Sequence, residues 1–371
     1  MNTSNQNHLI CHINMAGGYR GGERQTELLM RELSARGRPQ RLVARAGAPL
    51  APRCRDIDGL TIAEVFPNQI RGAVAARGAS LVHAHEGRAM YSAWFLNLWQ
   101  KTPFVVTRRI DHAMNDTWLR TRAYHAANAI VAISTSIANT VHAHYPAIRC
   151  EVIPSAHADM VNGHAVAGSL RLRLDGKTVI GHIGELDHGH KGQGTIIEAA
   201  RHFRDSDPDL HFVLVGDGKD EQKFHAAAAG LDNLEFVGFV DNVEDYLAAF
   251  DVFVYPSLRE GLGSSLLDAM HFGLPIVASD VGGIPEIVED QVNGLLVRPG
   301  NATDLIAALE RVMRDPGLRE SMSRSNREKA AEYGTARMAS SYEQIYDRIL
   351  GASSLALAPE PNAVRAHELR D

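Results

Sequence analysis

Two carboxylates, Glu260 and Asp268, bracket the run Gly261-Leu262-Gly263-Ser264-Ser265. A turn with so little side-chain bulk, leading into a helix, leaves backbone N–H groups free to point at an anion. Ionised carboxylates only accept hydrogen bonds, so the pair can hold hydroxyls on either side of that anion. An anion flanked by hydroxyls fits a nucleotide-sugar. A carboxylate ahead of Gly-x-Gly belongs to no ordinary capping pattern, and Glu260 is therefore expected to meet a ligand. Asp268 has two readings that stay open: Ser265-x-x-Asp268 also fits a capping box, in which Asp268 would only satisfy a backbone donor.

Further chemistry-bearing residues fall at strand ends. Gly184-Glu-Leu-Asp-His-Gly-His-Lys191-Gly192 follows an apolar run and offers a lysine where a phosphate is commonly met. Gly17-Gly18-x-x-Gly21-Gly22 lets a ligand approach the backbone but lacks the Gly-Lys-Ser/Thr of a Walker loop and the spacing of a nicotinamide fingerprint. His83 and His85 share one side of a strand, yet no third ligand stands at convincing spacing, and no metal is expected; His85, before Glu86-Gly87, reads as a cleft residue. Gly282-Gly283-Ile-Pro285-Glu286 reads as a loop entering a helix, with Glu286 favoured by the helix dipole.

The elements that position these residues alternate. Apolar runs at 9–14, 40–45, 80–84, 104–107 and 129–133 are separated by helical periodicities such as 23–36, 90–98 and 118–127. A second set has strands at 179–183, 211–215, 234–237, 252–255, 275–278 and 294–297, with helices between them. Two alternating sets predict an α/β protein of two doubly wound domains, with ligands at the carboxyl ends of parallel strands. The expected bounds are 1–160 and 170–335, joined by a linker of small and polar residues over 154–170. A helix over 336–350 follows, and a disordered tail is expected over 352–371.

A chain of 371 residues, 45% hydrophobic and 22% charged, is globular and long enough for two cores. The net charge of −6 argues against a general nucleic-acid binder. Cys11, Cys54 and Cys150 have no metal-like or disulfide spacing and read as reduced thiols of a cytoplasmic protein. With no run of membrane-spanning length, the chain is expected to rest at most on a membrane surface.

Together these residues resemble the retaining glycosyltransferases of family 4, with the two-domain GT-B fold, from Leu9 to Leu350. The likeness rests on Gly21-Gly22-Glu-Arg-Gln, Val82-His-Ala-His85, Gly184…Lys191-Gly192, Val215-Gly216-Asp-Gly218, Val237-Gly-Phe239-Val240, Glu260-Gly-Leu-Gly263, Asp268-Ala-Met270, Gly273-Leu-Pro275 and Gly282-Gly-Ile-Pro-Glu286. The resemblance implies an interdomain cleft with the donor held mainly by the second domain and no cofactor beyond that donor substrate. It places Lys191 on the diphosphate, Glu260 on donor-sugar hydroxyls, and the N–H groups of Gly261, Leu262, Gly263 and Ser264 on sugar and phosphates. Asp268 would hold the ribose, Phe239 and Val240 border the base, Gly216 line the donor pocket, and Gly21 and Gly22 face the donor from the other wall. The expected catalytic set is Glu260, Lys191, His85 and Arg109. The final helix would cross back onto the first domain.

Four departures qualify the resemblance. Asp268 replaces the usual Glu; Glu185 stands where an Arg is common ahead of the lysine; Arg108-Arg109 precede a delayed His112; and Pro154-Ser155-Ala156 replaces Pro-Asn-Gly. Arg109, with Arg108, is expected to supply the missing cation from the opposite wall. The expected activity is hexosyl or heptosyl transfer from a nucleotide diphosphate-sugar to a glycan or glycolipid of lipopolysaccharide core or surface polysaccharide, at the inner face of the cytoplasmic membrane. A non-catalytic nucleotide-sugar-binding protein and a sugar-nucleotide epimerase of the same architecture are the alternatives.

Overall fold

The computed structural model describes residues 8–111, 117–158 and 165–357. The first domain is a seven-stranded sheet of β1 (Ile10–Asn14), β2 (Gln40–Arg45), β3 (Leu60–Val65), β4 (Leu81–Ala84), β5 (Phe104–Arg108), β6 (Ala129–Ala132) and β7 (Cys150–Val152). Its order is β3-β2-β1-β4-β5-β6-β7, parallel throughout, with Ile10 opposite both Gln40 and Leu81. The second is a six-stranded sheet of β8 (Thr178–Ile183), β9 (Leu210–Val215), β10 (Leu234–Gly238), β11 (Val252–Tyr255), β12 (Ile276–Ser279) and β13 (Gly294–Val297), ordered β10-β9-β8-β11-β12-β13. In each sheet the order reverses beside the first strand, which opens a crevice at the strand ends.

Central parallel strands carry helices on both faces, so they read as unbroken apolar runs rather than alternations. Every residue of β1 is buried, including the polar His12 and Asn14. The helix Gly21–Ala35 buries Leu29, Met30 and Leu33 against this sheet, and Gly37, at φ 74°, turns the chain out of it. The helix Thr335–Leu357 returns to the first domain, where Met338, Tyr342, Ile345 and Tyr346 pack with Ile10, Leu33, Leu81 and Val105. Arg36 and Arg38 fix it by ion pairs to Glu343, with Arg38 also reaching Asp347.

Three expectations need correction. The final helix continues to Leu357 rather than ending at Leu350, so the expected tail begins inside it; residues 358–371 lie outside the described residues. The stretch read as linker contains the helix Ala165–Arg173, whose Leu170 packs into the second domain's core with Leu174. The edge strands β3 and β7, and the helices Gln69–Ala75 and Pro316–Ala330, were not foreseen. No residue of β3 is fully buried, with Thr61 and Glu64 exposed, and Pro316–Ala330 buries little beyond Met322, Asn326 and Ala330.

Candidate functional site

The two sheets face one another across a cleft of about 1120 Å³, reached by loops at the carboxyl ends of their strands. On the second-domain wall, β11 delivers Tyr255 and, after a short turn, Glu260. The Lys191 ammonium lies 2.5 Å from Glu260 Oε2 and donates to the Tyr255 hydroxyl at 2.7 Å, while Tyr255 donates to the same carboxylate oxygen at 2.8 Å. Burial alone would depress the lysine's pKa, but the adjoining Glu260 carboxylate, with Tyr255, outweighs it and raises it. Burial likewise pushes Glu260 up, and the Lys191 charge and hydrogen bonds pull it below the usual carboxylate value. The pair is ionised and buried.

Gly263 adopts φ 93° and starts the helix Ser264–His271 without a side-chain cap, so the N–H groups of its first turn face the cleft. Gly216, at φ 136°, packs so closely that a Cβ there would lie 2.1 Å from the Gly184 carbonyl oxygen, which brings the loop after β8 beside the loop after β9.

The first-domain wall is built around the glycine loop. A Cβ on Gly21 would stand 2.8 Å from Ser264 Oγ, and one on Gly22 would stand 3.4 Å from Arg109 Cδ. Arg109 reaches the cleft from the end of β5. Its Nε and one Nη are buried without a hydrogen-bond partner among the described residues, and burial lowers its pKa. Beside it His85 Nε2 lies 3.0 Å from His12 Nδ1, and His85 Nδ1 has no hydrogen-bond partner among the described residues.

Of the residues expected at the site, the cleft gathers Gly21, Gly22, His85, Arg109, Lys191, Gly216, Phe239, Val240, Glu260, Leu262, Gly263 and Ser264. Two stand elsewhere. Gly261 faces the first domain's backbone, where a Cβ would meet the Arg109 carbonyl oxygen at 2.6 Å. Asp268 neither caps its helix nor lines the cleft: its carboxylate is buried, paired with Arg24 at 2.5 Å and bound by the Ala158 N–H at 3.1 Å. The Arg24 that pairs with it lines the cleft in its place. His112 lies outside the described residues.

Four further residues take part through partners distant in the chain. Arg20 crosses the cleft to Glu185 at 3.1 Å and Asp217 at 3.7 Å, so the acid in the customary arginine position is itself met by an arginine from the opposite wall. Arg53 pairs with Asp241 across the same gap. Glu286 accepts from the N–H groups of Thr135 and Ser136, capping a first-domain helix rather than serving its own. His12 supplies a third buried imidazole beside His83 and His85. Their ligand atoms are close enough to consider a metal, but both His83 nitrogens are taken, by Tyr346 and Thr107, and chelation would have to displace one of them. The walls differ in charge. Arg20, Arg24, Arg53, Arg88, Arg108, Arg109 and Arg120 line the first with Glu23 and Glu86, whereas Glu185, Asp217, Asp241, Glu244 and Glu260 line the second with Lys191.

Comparison with known proteins follows the same division. Residues 177–315 match the family model described as glycosyl transferases group 1. The 2-deoxystreptamine glucosyltransferase of Streptomyces kanamyceticus is 35% identical over 186 residues, 48% of either chain. Alpha-maltose-1-phosphate synthase of Mycolicibacterium smegmatis is 26% identical over 315 residues, 74% of this chain and 80% of the relative. The chain spans about half the length of the first of these relatives. The crystal structure of Anabaena HepE in complex with UDP and glucose superposes with a TM-score of 0.81 at 18% identity, over 92% of this chain and 100% of that one. Two parallel-sheet domains on this plan form the GT-B fold.

Proposed function

We propose, from the match of residues 177–315 to the glycosyl transferases group 1 and the GT-B frame around it, that the protein is a retaining glycosyltransferase. It moves a hexosyl or heptosyl unit from a nucleotide diphosphate-sugar to a hydroxyl of a glycan or glycolipid of surface polysaccharide or lipopolysaccharide core. The observation that carries this reading is the convergence of Lys191 and Glu260 at the uncapped N-terminus of Ser264–His271, opposite Gly21 and Gly22.

The chemistry asks for two things: stabilising a departing diphosphate and orienting an oxocarbenium-like sugar. Lys191, Arg20, Arg109 and the first-turn N–H groups act on the diphosphate, so no metal is required. Glu260, fixed by Lys191, Tyr255 and a 3.4 Å contact from Ser257 Oγ, presents its carboxylate to the sugar hydroxyls. The bond from the anomeric carbon to the phosphate oxygen breaks as the bond to the acceptor oxygen forms on the same face. The acceptor's proton passes to the departing phosphate oxygen. Closure of the walls excludes water and limits donor hydrolysis.

HepE's complex with UDP and glucose supports a uridine donor as the first to try. A thermal-shift panel of UDP-, GDP-, ADP- and CMP-sugars, followed by turnover of the best donor, tests the reading. Stabilisation with slow release of free sugar is expected. Tight binding with no turnover against any acceptor would make the protein a binder, and release of an epimeric nucleotide-sugar would make it an epimerase.

A further inference from the structure

The helices Gln69–Ala75, Gly87–Gln100 and Trp118–Ala126 form one layer on one side of the first sheet, sharing a core through Ala73, Ala93, Leu96 and Ala123. The outer side of that layer is unlike an ordinary solvated face. Phe66 is 67% exposed, Ile70 65%, Trp99 59% and Trp118 67%, with Leu119 and Ile110 also exposed. Helix geometry accounts for part of this, since Ile70 and Val74 stand one turn apart and point away from buried Ala73. Three of the aromatic rings carry an arginine: Arg71 lies 5.9 Å from the Phe66 ring, Arg77 4.6 Å from Trp99 and Arg122 5.1 Å from Trp118. Aromatic rings capped by guanidinium groups suit a place where apolar matter meets anionic headgroups.

The charge of the chain runs the same way. Residues 1–158 hold 18 Lys and Arg against 10 Asp and Glu, a net of +8; the remainder holds 20 against 34, a net of −14. An overall −6 thus hides a cationic first half that would approach an anionic surface while the second half is held away from it.

We infer that the layer of Gln69–Ala75, Gly87–Gln100 and Trp118–Ala126 is a docking face for an anionic lipid bilayer. Among the described residues no helix is long and apolar enough to cross a membrane, so the contact is interfacial. The face borders the acceptor side of the cleft: exposed Ile110 itself lines the cleft, as do Gln69 and Arg120, which adjoin Ile70 and Leu119 in the chain. Docking therefore sets the cleft mouth at headgroup level, where a lipid-linked acceptor presents its sugar. That last step rests on the glycosyltransferase reading, whereas bilayer binding is read without turnover.

Full-length protein is sedimented with vesicles of phosphatidylcholine alone or with about one third phosphatidylglycerol, at low and high salt, and tryptophan emission is followed on vesicle addition. Binding to the anionic vesicles, a blue shift, and weakening by salt are expected. Phe66→Ser with Trp118→Ser, or Arg71→Glu with Arg77→Glu, should lower partition roughly tenfold or more while leaving slow donor hydrolysis in place. Failure to bind anionic vesicles, or equal binding by the variants, overturns the inference. So does a wild-type dimer in light scattering that these substitutions dissociate, because the face would then belong to a second copy.

Discussion

Reversing charge across the cleft separates a donor-binding role for Arg20 from a merely architectural one. The Arg20–Glu185 pair is half open to solvent, with side-chain exposures of 46% and 32%, so its worth as an ion pair is only about 0.2–1 kcal/mol. A charge-assisted contact from Arg20 to the diphosphate is worth about 1.5–3 kcal/mol, or roughly 10- to 150-fold. Arg20→Ala should therefore lower kcat/KM for the donor by one to two orders of magnitude, mainly through KM. Glu185→Ala, which removes only the surface pair and frees the arginine, should stay within about fivefold of wild type. The double exchange Arg20→Glu with Glu185→Arg returns a cation to the site from the other wall and should recover most of what Arg20→Glu alone loses. Steady-state kinetics with varied donor, checked by calorimetric titration, reads all four proteins. If Glu185→Ala costs as much as Arg20→Ala and the exchange recovers nothing, the pair is a clasp between domains and the argument fails.

Other consequences follow from the same geometry. Arg109→Ala should weaken donor turnover far more than Glu185→Ala, since its unpaired buried nitrogens are positioned for an anion; equal, small effects in the same assay would discard that role. Gly261→Ala forces a Cβ against the Arg109 carbonyl oxygen and should keep the walls apart, with kcat/KM falling at least tenfold while thermal unfolding changes little. Asp268→Ala removes the buried carboxylate that meets the Arg24 guanidinium and should cost about 2–4 kcal/mol in denaturant unfolding, discounted because Arg24 is a quarter exposed. The histidine cluster predicts acid sensitivity. Burial lowers the pKa of His12 to about 4, and those of His83 and His85 well below normal, so the unfolded chain binds protons that the folded one refuses. Stability contributed by these groups is complete above the unfolded value near 6.5 and is lost as pH falls toward 4. For His12 alone the loss is on the order of 3 kcal/mol. Melting curves across that window should fall steeply in wild type and less so in His12→Gln.

How much of this was legible in the sequence depended on burial and on locality. Strands buried along most of their length, such as β8 and β11, announce themselves as apolar runs, and Lys191 and Glu260 lie in the loops that follow them. β3 did not, because it is an edge strand with no fully buried residue. Within the site, the loops and the lysine–glutamate convergence could be read, since each is set by a local turn. Asp268 could not, because its fate is decided by Arg24, distant in sequence and brought near by closure of the two domains. The same holds for Arg20 with Glu185 and for Glu286 with Thr135 and Ser136. Strand periodicity places His12 inside β1 but says nothing of what the neighbouring strand β4 sets beside it. Pairs that form across a cleft leave no spacing rule in the chain.

The claim on which the rest turns is that the Lys191 ammonium and the Glu260 carboxylate share one diphosphate-linked sugar. It is tested most directly by calorimetric titration of the best donor, and of its free nucleoside diphosphate, into wild type, Lys191→Ala and Glu260→Gln. The predicted result is that Lys191→Ala weakens both ligands about 100-fold, whereas Glu260→Gln weakens the sugar-bearing donor and leaves the nucleotide nearly unchanged. Wild-type affinity for the donor in both variants would contradict the account.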